Sequence, residues 1–373
     1  MAVADHQPSS TKNRMQITDS IDVAEAVKAF IRLPAEAVDD SKFNALALQL
    51  FAVQFERNIV YGNLCKSRHA LPGIVEHWTE IPTVPTTTFK DYELSTLNSE
   101  NRMTHFQSSG TTNQKVCRHY HDSTSLSVYE TSLAAGFTAH LTPETAPPVR
   151  FISLTPAPDS APHSSLVHMI ATVSRNQNER VFFGQLGADG SWIIDLTSLR
   201  SSLAGSTGYS VCILGTAFLF VHLIDALTKL PLQHPLPPGS RVMETGGYKG
   251  KTRELSKADF HELISRHLGI RSNHIVTEYG MTELSSQAYD RVNDREQSYF
   301  KFPHWARARV LSPETGLEVA NGEPGIITIV DLANIASVLA LQTEDLGIRH
   351  ADRFELVGRS QLAEPRGCSL MSP

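Results

Sequence analysis

From Val116 to Val276, short apolar runs alternate with stretches whose apolar residues recur at helical spacing, and this alternation constrains the fold more than any other feature of the chain. Val116–Tyr120 predicts a short strand, and Phe151–Leu154, Val181–Phe183 and Val211–Leu214 predict buried ones. Between them, Asp122 is placed to cap a helix with Leu126, Tyr129, Leu133 and Phe137 on one face. Ser256-Lys257-Ala258-Asp259 has the form of an acidic capping box. It opens a helix with Phe260, Leu263, Ile264 and Leu268 turned inward and Gly269 as its stop. Strands interleaved with helices in this way predict an α/β core.

The flanks read differently. Residues 21–80 look helical, with Phe43, Leu46, Leu50 and Phe51 on one buried face. Ile81-Pro82-Thr83-Val84-Pro85-Thr86-Thr87-Thr88 cannot continue a helix, because its prolines lack an amide donor and push their predecessors toward extended geometry. Arg307–Leu311, Gly325–Asp331 and Ser337–Gln342 predict strands separated by turns such as Asn321-Gly322-Glu323-Pro324-Gly325. The expected organisation is a disordered tail (1–20), a helical N-terminal region (21–85), an α/β core (86–300), a small β-subdomain (301–357) and a C-terminal tail (358–373).

Composition removes several classes of function. A chain of 373 residues, 41% hydrophobic and 19% charged, can bury a sizeable core. A formal net charge of −6 leaves no basic footprint for nucleic acid. Cys65, Cys117, Cys212 and Cys368 are too scattered for a disulfide framework or a zinc site. Met1–Ser20 has no apolar signal core, and the most apolar run, Ile213–Ile224, is broken by Thr216 and His222 and is too short for a bilayer. The chain reads as soluble and cytoplasmic, with no membrane span.

Three segments carry chemistry. In Ser108-Ser109-Gly110-Thr111-Thr112-Asn113-Gln114-Lys115, small residues let the backbone wrap an anion while amides, hydroxyls and a lysine converge on phosphate oxygens. The spacing is not that of a Walker A loop, and alone the segment is equally a polar surface loop. In Thr277-Glu278-Tyr279-Gly280-Met281-Thr282-Glu283-Leu284-Ser285-Ser286-Gln287, a strand ending in a glycine turn would bring Tyr279, Thr282 and Glu283 to the rim of a sheet. Open α/β sheets bind ligands there. A carboxylate at that rim can hold Mg²⁺ against phosphate oxygens; alone, Glu283 reads more readily as an acid at a helix N-terminus. In Thr343-Glu344-Asp345-Leu346-Gly347, followed by Gly358-Arg359, an aspartate can accept from two ribose hydroxyls and an arginine can add a charged donor. Each alone is equally a turn with a surface ion pair.

In this order, with Gly246-Gly247 between the first and second, the segments resemble the acyl-adenylate-forming superfamily. Within it the resemblance is to LuxE-type acyl-protein synthetases, from about residue 86 to the C-terminus. It rests also on Ser164-Ser165-Leu166, Leu214-Gly215-Thr216-Ala217-Phe218, Tyr248-Lys249-Gly250, Pro303-His304-Trp305 and Arg366-Gly367-Cys368-Ser369-Leu370. The resemblance implies an α/β fold like the N-terminal domain of adenylate-forming enzymes, with a small C-terminal β-subdomain, and ATP and Mg²⁺ as cofactors. Ser108, Ser109, Gly110, Thr111 and Thr112 would hold ATP phosphates, with Lys115 assisting. Gly246, Gly247 and Gly280 would let backbone approach the nucleotide, and Tyr279 would stack on adenine. Thr282 would sit at the α-phosphate, Glu283 would hold Mg²⁺, and Asp345 and Arg359 would fix the ribose. Phe218 would line an acyl pocket or simply pack in the core.

Two departures stand out. Asn113 replaces a loop glycine of many relatives, and asparagine tolerates the left-handed conformation. Only 14 residues follow Arg359, so the chain is expected to lack the mobile C-terminal domain that brings a catalytic lysine in larger relatives. In LuxE-type enzymes a C-terminal cysteine accepts the acyl group. Cys368 is the matching residue here, and neighbouring Arg366 would favour its thiolate. The implied function is activation of a carboxylic acid, by family type a fatty acid, as acyl-AMP. The acyl group would pass to Cys368 and then to a partner protein such as a reductase or carrier protein. Direct transfer to CoA, an amine or a carrier protein is one alternative; a non-catalytic nucleotide- or acyl-binding subunit is another.

Overall fold

The computed structural model describes residues 20–37, 39–108, 115–142, 149–179, 181–206, 208–246, 255–292 and 298–359. Helices α1 (Ser20–Ile31), α2 (Asp40–Arg57) and α3 (Ile59–Ser67) lead the chain. Asp39 caps α2 by accepting from the Lys42 amide, and Phe43, Leu50 and Phe51 are buried at the expected spacing. The helical reading of 21–80 ends early, at Ser67, because Leu71-Pro72-Gly73 follows with a left-handed Gly73. The proline-rich segment is extended as β1 (Val84–Pro85), and a single turn, α4 (Thr88–Asp91), comes next.

A hairpin, β2 (Thr104–Gln107) and β3 (Arg118–His121), precedes α5 (Ser123–Leu141), which Asp122 caps as predicted. The α/β part then runs β4 (Val149–Ser153), α6 (Ser165–Val173), the small hairpin β5 (Gly184–Leu186) and β6 (Trp192–Ile194), α7 (Leu196–Ala204), β7 (Ser210–Thr216), α8 (Ala217–Lys229), β8 (Arg241–Thr245), α9 (Lys257–Leu268) and β9 (Ile275–Tyr279). Ser256 caps α9, and Gly269 ends it in the left-handed conformation at φ 71°. Six antiparallel strands complete the fold: β10 (Ala288–Val292), β11 (Ser298–Lys301), β12 (Ala306–Leu311), β13 (Pro324–Asp331), β14 (Ala340–His350) and β15 (Arg353–Arg359).

Eleven of these strands form one mixed sheet in the order β12-β13-β14-β15-β11-β10-β9-β8-β7-β4, with β1 alongside β14 in parallel, and the β2–β3 and β5–β6 hairpins stand outside it. Strands β4, β7, β8 and β9 are parallel, and every residue of β7 is buried, as a strand covered on both faces requires. Pairing turns antiparallel at β10, so β9 is the seam between the halves. Strands β12 to β15 extend this same sheet. One apolar core joins the N-terminal helices to β9–β15, through residues such as Phe43, Trp78, Trp305 and Ile329. A second lies under α5, α6, α8 and α9.

Two strand expectations are corrected. Val181–Phe183 makes only a single bridge, Phe182 to Ser153. Gly184 still lies against the same segment, its amide donating to the Thr155 carbonyl at 3.0 Å where an added Cβ would meet the Thr155 carbonyl carbon at 2.3 Å, and from there the chain pairs with β6 instead. Ser337–Gln342 becomes a strand only at Ala340, because loops already engage its first residues: Ser337 donates to the Leu94 carbonyl, and the Val338 carbonyl accepts from Asn334. Among the described residues, no helix is long and apolar enough to cross a membrane.

Gln54 couples the two ends of the chain. Its amide donates to the Asn334 carbonyl at 2.8 Å, and its carbonyl accepts from the Leu339 amide at 2.8 Å, both buried. Gln54→Ala orphans both backbone groups, so the unfolding free energy is expected to fall by about 2–4 kcal/mol in urea denaturation. A change below about 0.5 kcal/mol, the scale of an inconsequential surface substitution, would show that α2 does not secure the β13–β14 connection.

Candidate active site

Strands β8 and β9 run side by side with Thr245 opposite Glu278. Gly246 follows β8 at φ 75°, a left-handed turn that glycine allows. Beyond β9 the chain closes a tight turn in which the Leu284 amide donates to the Met281 carbonyl at 3.1 Å. Thr282 and Glu283 therefore sit in a turn at the carboxyl end of β9, and no helix begins there.

Buried polar groups hold this turn from several sides. Asn334 donates to the Glu283 carbonyl at 2.9 Å, and His119 Nδ1 lies 2.9 Å from the Thr282 carbonyl. Asp331 accepts from the Ser285 amide at 2.9 Å and the Ser286 hydroxyl at 2.6 Å. Trp305 donates to Ser132 and Ser286 at 2.9 and 3.0 Å, which gives the tryptophan of Pro303-His304-Trp305 a place in the same network. The Glu283 carboxylate is different: it is buried, yet among the described residues no hydrogen bond or ion pair reaches it.

A second group meets across the sheet. The Tyr279 hydroxyl donates to Asp345 Oδ2 at 2.8 Å, and Arg359 Nε donates to Asp345 Oδ1 at 3.3 Å. The β14–β15 register sets Asp345 opposite Arg359. Phe300, Phe302 and Phe354 pack around the Tyr279 ring at 5.8, 6.2 and 5.4 Å. Three residues that the sequence separates widely are thus in contact.

The phosphate-loop residues are only partly in view. Ser108 closes the β2–β3 hairpin: its amide donates to the Cys117 carbonyl at 3.1 Å, and its hydroxyl accepts from the Cys117 amide at 3.0 Å. Lys115 pairs at the surface with Asp91 at 2.9 Å, an exposed contact of little net strength. Ser109, Gly110, Thr111, Thr112, Asn113, Gly247 and Cys368 lie outside the described residues. Phe218 packs at the edge of the second core and against His222. Cys65, Cys117 and Cys212 are buried, and burial pushes the Cys65 and Cys212 thiols up to about 11 and about 12, closing them to thiolate chemistry.

Sequence reasoning overlooked His119, Asp331, Asn334 and Glu278 as site residues. The first three act through contacts that no local motif announces. Glu278 stands directly before Tyr279, and only its depth in the fold reveals it. Burial raises its carboxyl to about 7, with Glu244 adding to the effect, while the Thr245 hydroxyl donates to its Oε2. Burial also raises Asp331 to about 6, against the pull of its hydrogen bonds from Ser286 and Ser285, and lowers His119 to about 4, leaving a neutral imidazole. Among the described residues, no group of three or more His, Cys, Asp or Glu side chains could hold a metal ion.

The fold is that of adenylate-forming ligases. The open conformation of 2-hydroxyisobutyryl-CoA ligase, in complex with 2-HIB-AMP and CoA, superposes with a TM-score of 0.64 at 11% identity, over 86% of this chain and 74% of the other. The same ligase in its thioesterification state gives 0.65 at 12% identity, over 88% and 69%. The family model for acyl-protein synthetase, LuxE, matches residues 13–372, and the chain belongs to that family. Its curated relatives include the long-chain-fatty-acid–luciferin-component ligases of Aliivibrio fischeri, 24% identical over 87% of this chain and 86% of that one, and of Vibrio harveyi, 22% identical over 86% and 84%. The ligase class expected from the motifs is the class of these relatives.

The raised Glu278 carboxyl has a consequence for stability. Below its unfolded value of 4.5, folded and unfolded chains both hold the proton. Between 4.5 and about 7 only the folded chain keeps it, so the wild type loses stability as pH rises through that window, by roughly 3 kcal/mol. Glu278→Gln does not titrate and is expected to gain on the wild type between pH 5 and pH 8 in urea denaturation. A difference that stays constant with pH would show that Glu278 is ionised alike in both states.

Proposed function

We propose that this chain uses ATP to activate a carboxylic acid as an acyl adenylate, in the fatty class for which its curated relatives are named. The observation that carries the reading is the contact of Tyr279, Asp345 and Arg359 beside a turn that presents the Glu283 carboxylate, which is buried and meets no partner among the described residues. Asp345 spends one oxygen on Tyr279 and the other on Arg359, and a carboxylate retains further lone pairs that suit ribose hydroxyls. The adenosine would lie at Tyr279 and the phosphates over Thr282 and the 108–112 loop.

A carboxylate oxygen of the acid attacks the α-phosphorus. A phosphorus–oxygen bond to the acid forms, the bond to the bridging oxygen toward the β-phosphorus breaks, and pyrophosphate leaves. Thr282 and the loop hydroxyls and amides stabilise the charge on the reacting phosphate. Glu283 is the residue that would hold Mg²⁺, which when bound offsets charge on the phosphate oxygens. In the second half-reaction the Cys368 thiolate attacks the acyl carbonyl and AMP leaves. The thioester then passes its acyl group to a partner protein, such as a reductase or carrier protein. Burial of Cys65, Cys117 and Cys212 supports Cys368 as the acceptor.

Acid-dependent release of AMP and pyrophosphate, with no ADP or phosphate, is expected. Glu283→Gln keeps the size of the side chain and removes its charge. Pyrophosphate exchange is expected to drop at least about 10²-fold, the scale of losing one transition-state stabiliser, with an unchanged melting temperature. Unaltered exchange at limiting Mg²⁺ would take Glu283 out of the site.

Cys368→Ala is expected to keep exchange and to lose self-acylation. The measurement is labelled acid plus ATP, followed by peptide mapping with and without hydroxylamine, which cleaves thioesters. A wild-type chain that makes adenylate but never carries a thioester would instead point to a free acceptor.

A further inference from the structure

Directly before the turn of Thr282 and Glu283 lies a cavity of about 30 Å³, walled by α5, α6 and the ends of β8 and β9. Its volume is room for roughly one or two waters, so it can take a substituent and not a chain. Its lining is mixed, with more polar than apolar side chains: Tyr129, Ser165, Thr245, Glu278 and Gln287 face it beside Met281 and two apolar residues of α6. Thr245 ties one oxygen of the buried Glu278. The other oxygen lies over Gly280, where a Cβ would meet it at 2.3 Å, so the glycine makes room for the carboxyl at the cavity wall. Among the described residues, neither the Ser165 hydroxyl nor the Gln287 side-chain amide makes a hydrogen bond. Covering these groups with methylenes would strip their water and return nothing.

We propose, resting on the adenylation reading above, that Glu278 is a specificity-determining residue and that the activated acid carries a hydroxyl on its second or third carbon, received by Glu278 with Gln287 and Ser165. A hydroxyl both donates and accepts. It can pair with Glu278 protonated or ionised, and burial keeps both forms present near neutral pH. A site built around a substrate hydroxyl rejects the analogue without it, because buried polar groups are then left unpaired. The cavity has room for the substituent alone, so a hydroxylated fatty acid satisfies it as well as a short hydroxy acid does.

The test is pyrophosphate exchange with matched acids: butanoate and tetradecanoate, each unsubstituted, 2-hydroxylated and 3-hydroxylated. The wild type is expected to favour one hydroxy isomer over its unsubstituted twin by at least about tenfold in kcat/KM, at one chain length or both. Glu278→Leu is expected to erase that ratio while still using the unsubstituted acid, and Glu278→Gln to keep part of it. Thermal unfolding checks that both variants fold, and the wild-type ratios and the Gln variant stand if Leu does not. Exchange that favours the unsubstituted acids, or a ratio unchanged in Glu278→Leu, overturns the inference and leaves adenylation intact. Absence of exchange with every acid overturns adenylation instead. Calorimetry then reads the cavity directly, with 5′-O-(N-acylsulfamoyl)adenosines bearing a hydroxylated or an unsubstituted acyl group. Tighter binding of a hydroxylated analogue in the wild type and not in Glu278→Leu supports the inference; equal affinities, or no binding by either, overturn it.

Discussion

The turn between β9 and β10 has no ladder of its own, so its shape depends on two buried side chains, Asp331 and Asn334. Asp331 accepts from Ser285, Ser286 and Ala333. Asn334 spans the Glu283 and Val338 carbonyls, and Gln54 grips its backbone in turn. Trp305 and Ser132 tie the same turn to α5. Helix α2, helix α5 and the β13–β14 connection therefore converge on a few residues. Buried polar groups are costly unless every one is paired, and a paired network specifies a single geometry. That geometry is what sets Glu283 at the carboxyl edge of the sheet.

The seam at β9 gives the site its two sides. The parallel strands end in Gly246 and the Thr282–Glu283 turn, while the antiparallel strands bring Asp345 and Arg359 back to Tyr279. Two acids near the seam are both raised by burial, and their surroundings separate their roles. Asp331 is surrounded by donors from the protein, as a structural acid should be. Glu278 has Thr245 as its hydrogen-bond donor and faces a cavity, which is the setting of a group that waits for a ligand.

Much of this was legible in the residues, and the limit was sequence distance. The strands around Phe151 and Val211, the caps at Asp122 and Ser256 and the stop at Gly269 are local, and the structure has them. Asp345 and Arg359 were read together and Tyr279 apart from them, as the residue that stacks on adenine; the structure brings all three into contact. The Gln54–Asn334 bond joins residues 280 apart, and nothing near either residue hints at it. Lys115 was read as assisting the phosphate loop, and its exposed ammonium meets Asp91, supplied by a helix that local pattern did not reveal. Val181–Phe183 is as apolar as a strand, but it makes one bridge, and from Gly184 the chain pairs with β6 instead. Pattern reports what a segment can bury, and the partner decides what it becomes.

The central claim is that an acid oxygen attacks the α-phosphorus of ATP at this site. Positional isotope transfer tests it most directly. An acid from the exchange panel, labelled with ¹⁸O in both carboxyl oxygens, is turned over with ATP, and the phosphorus products are read by mass spectrometry. The account predicts one ¹⁸O in AMP and none in pyrophosphate or phosphate. Label in inorganic phosphate, or AMP formed without label, would contradict it.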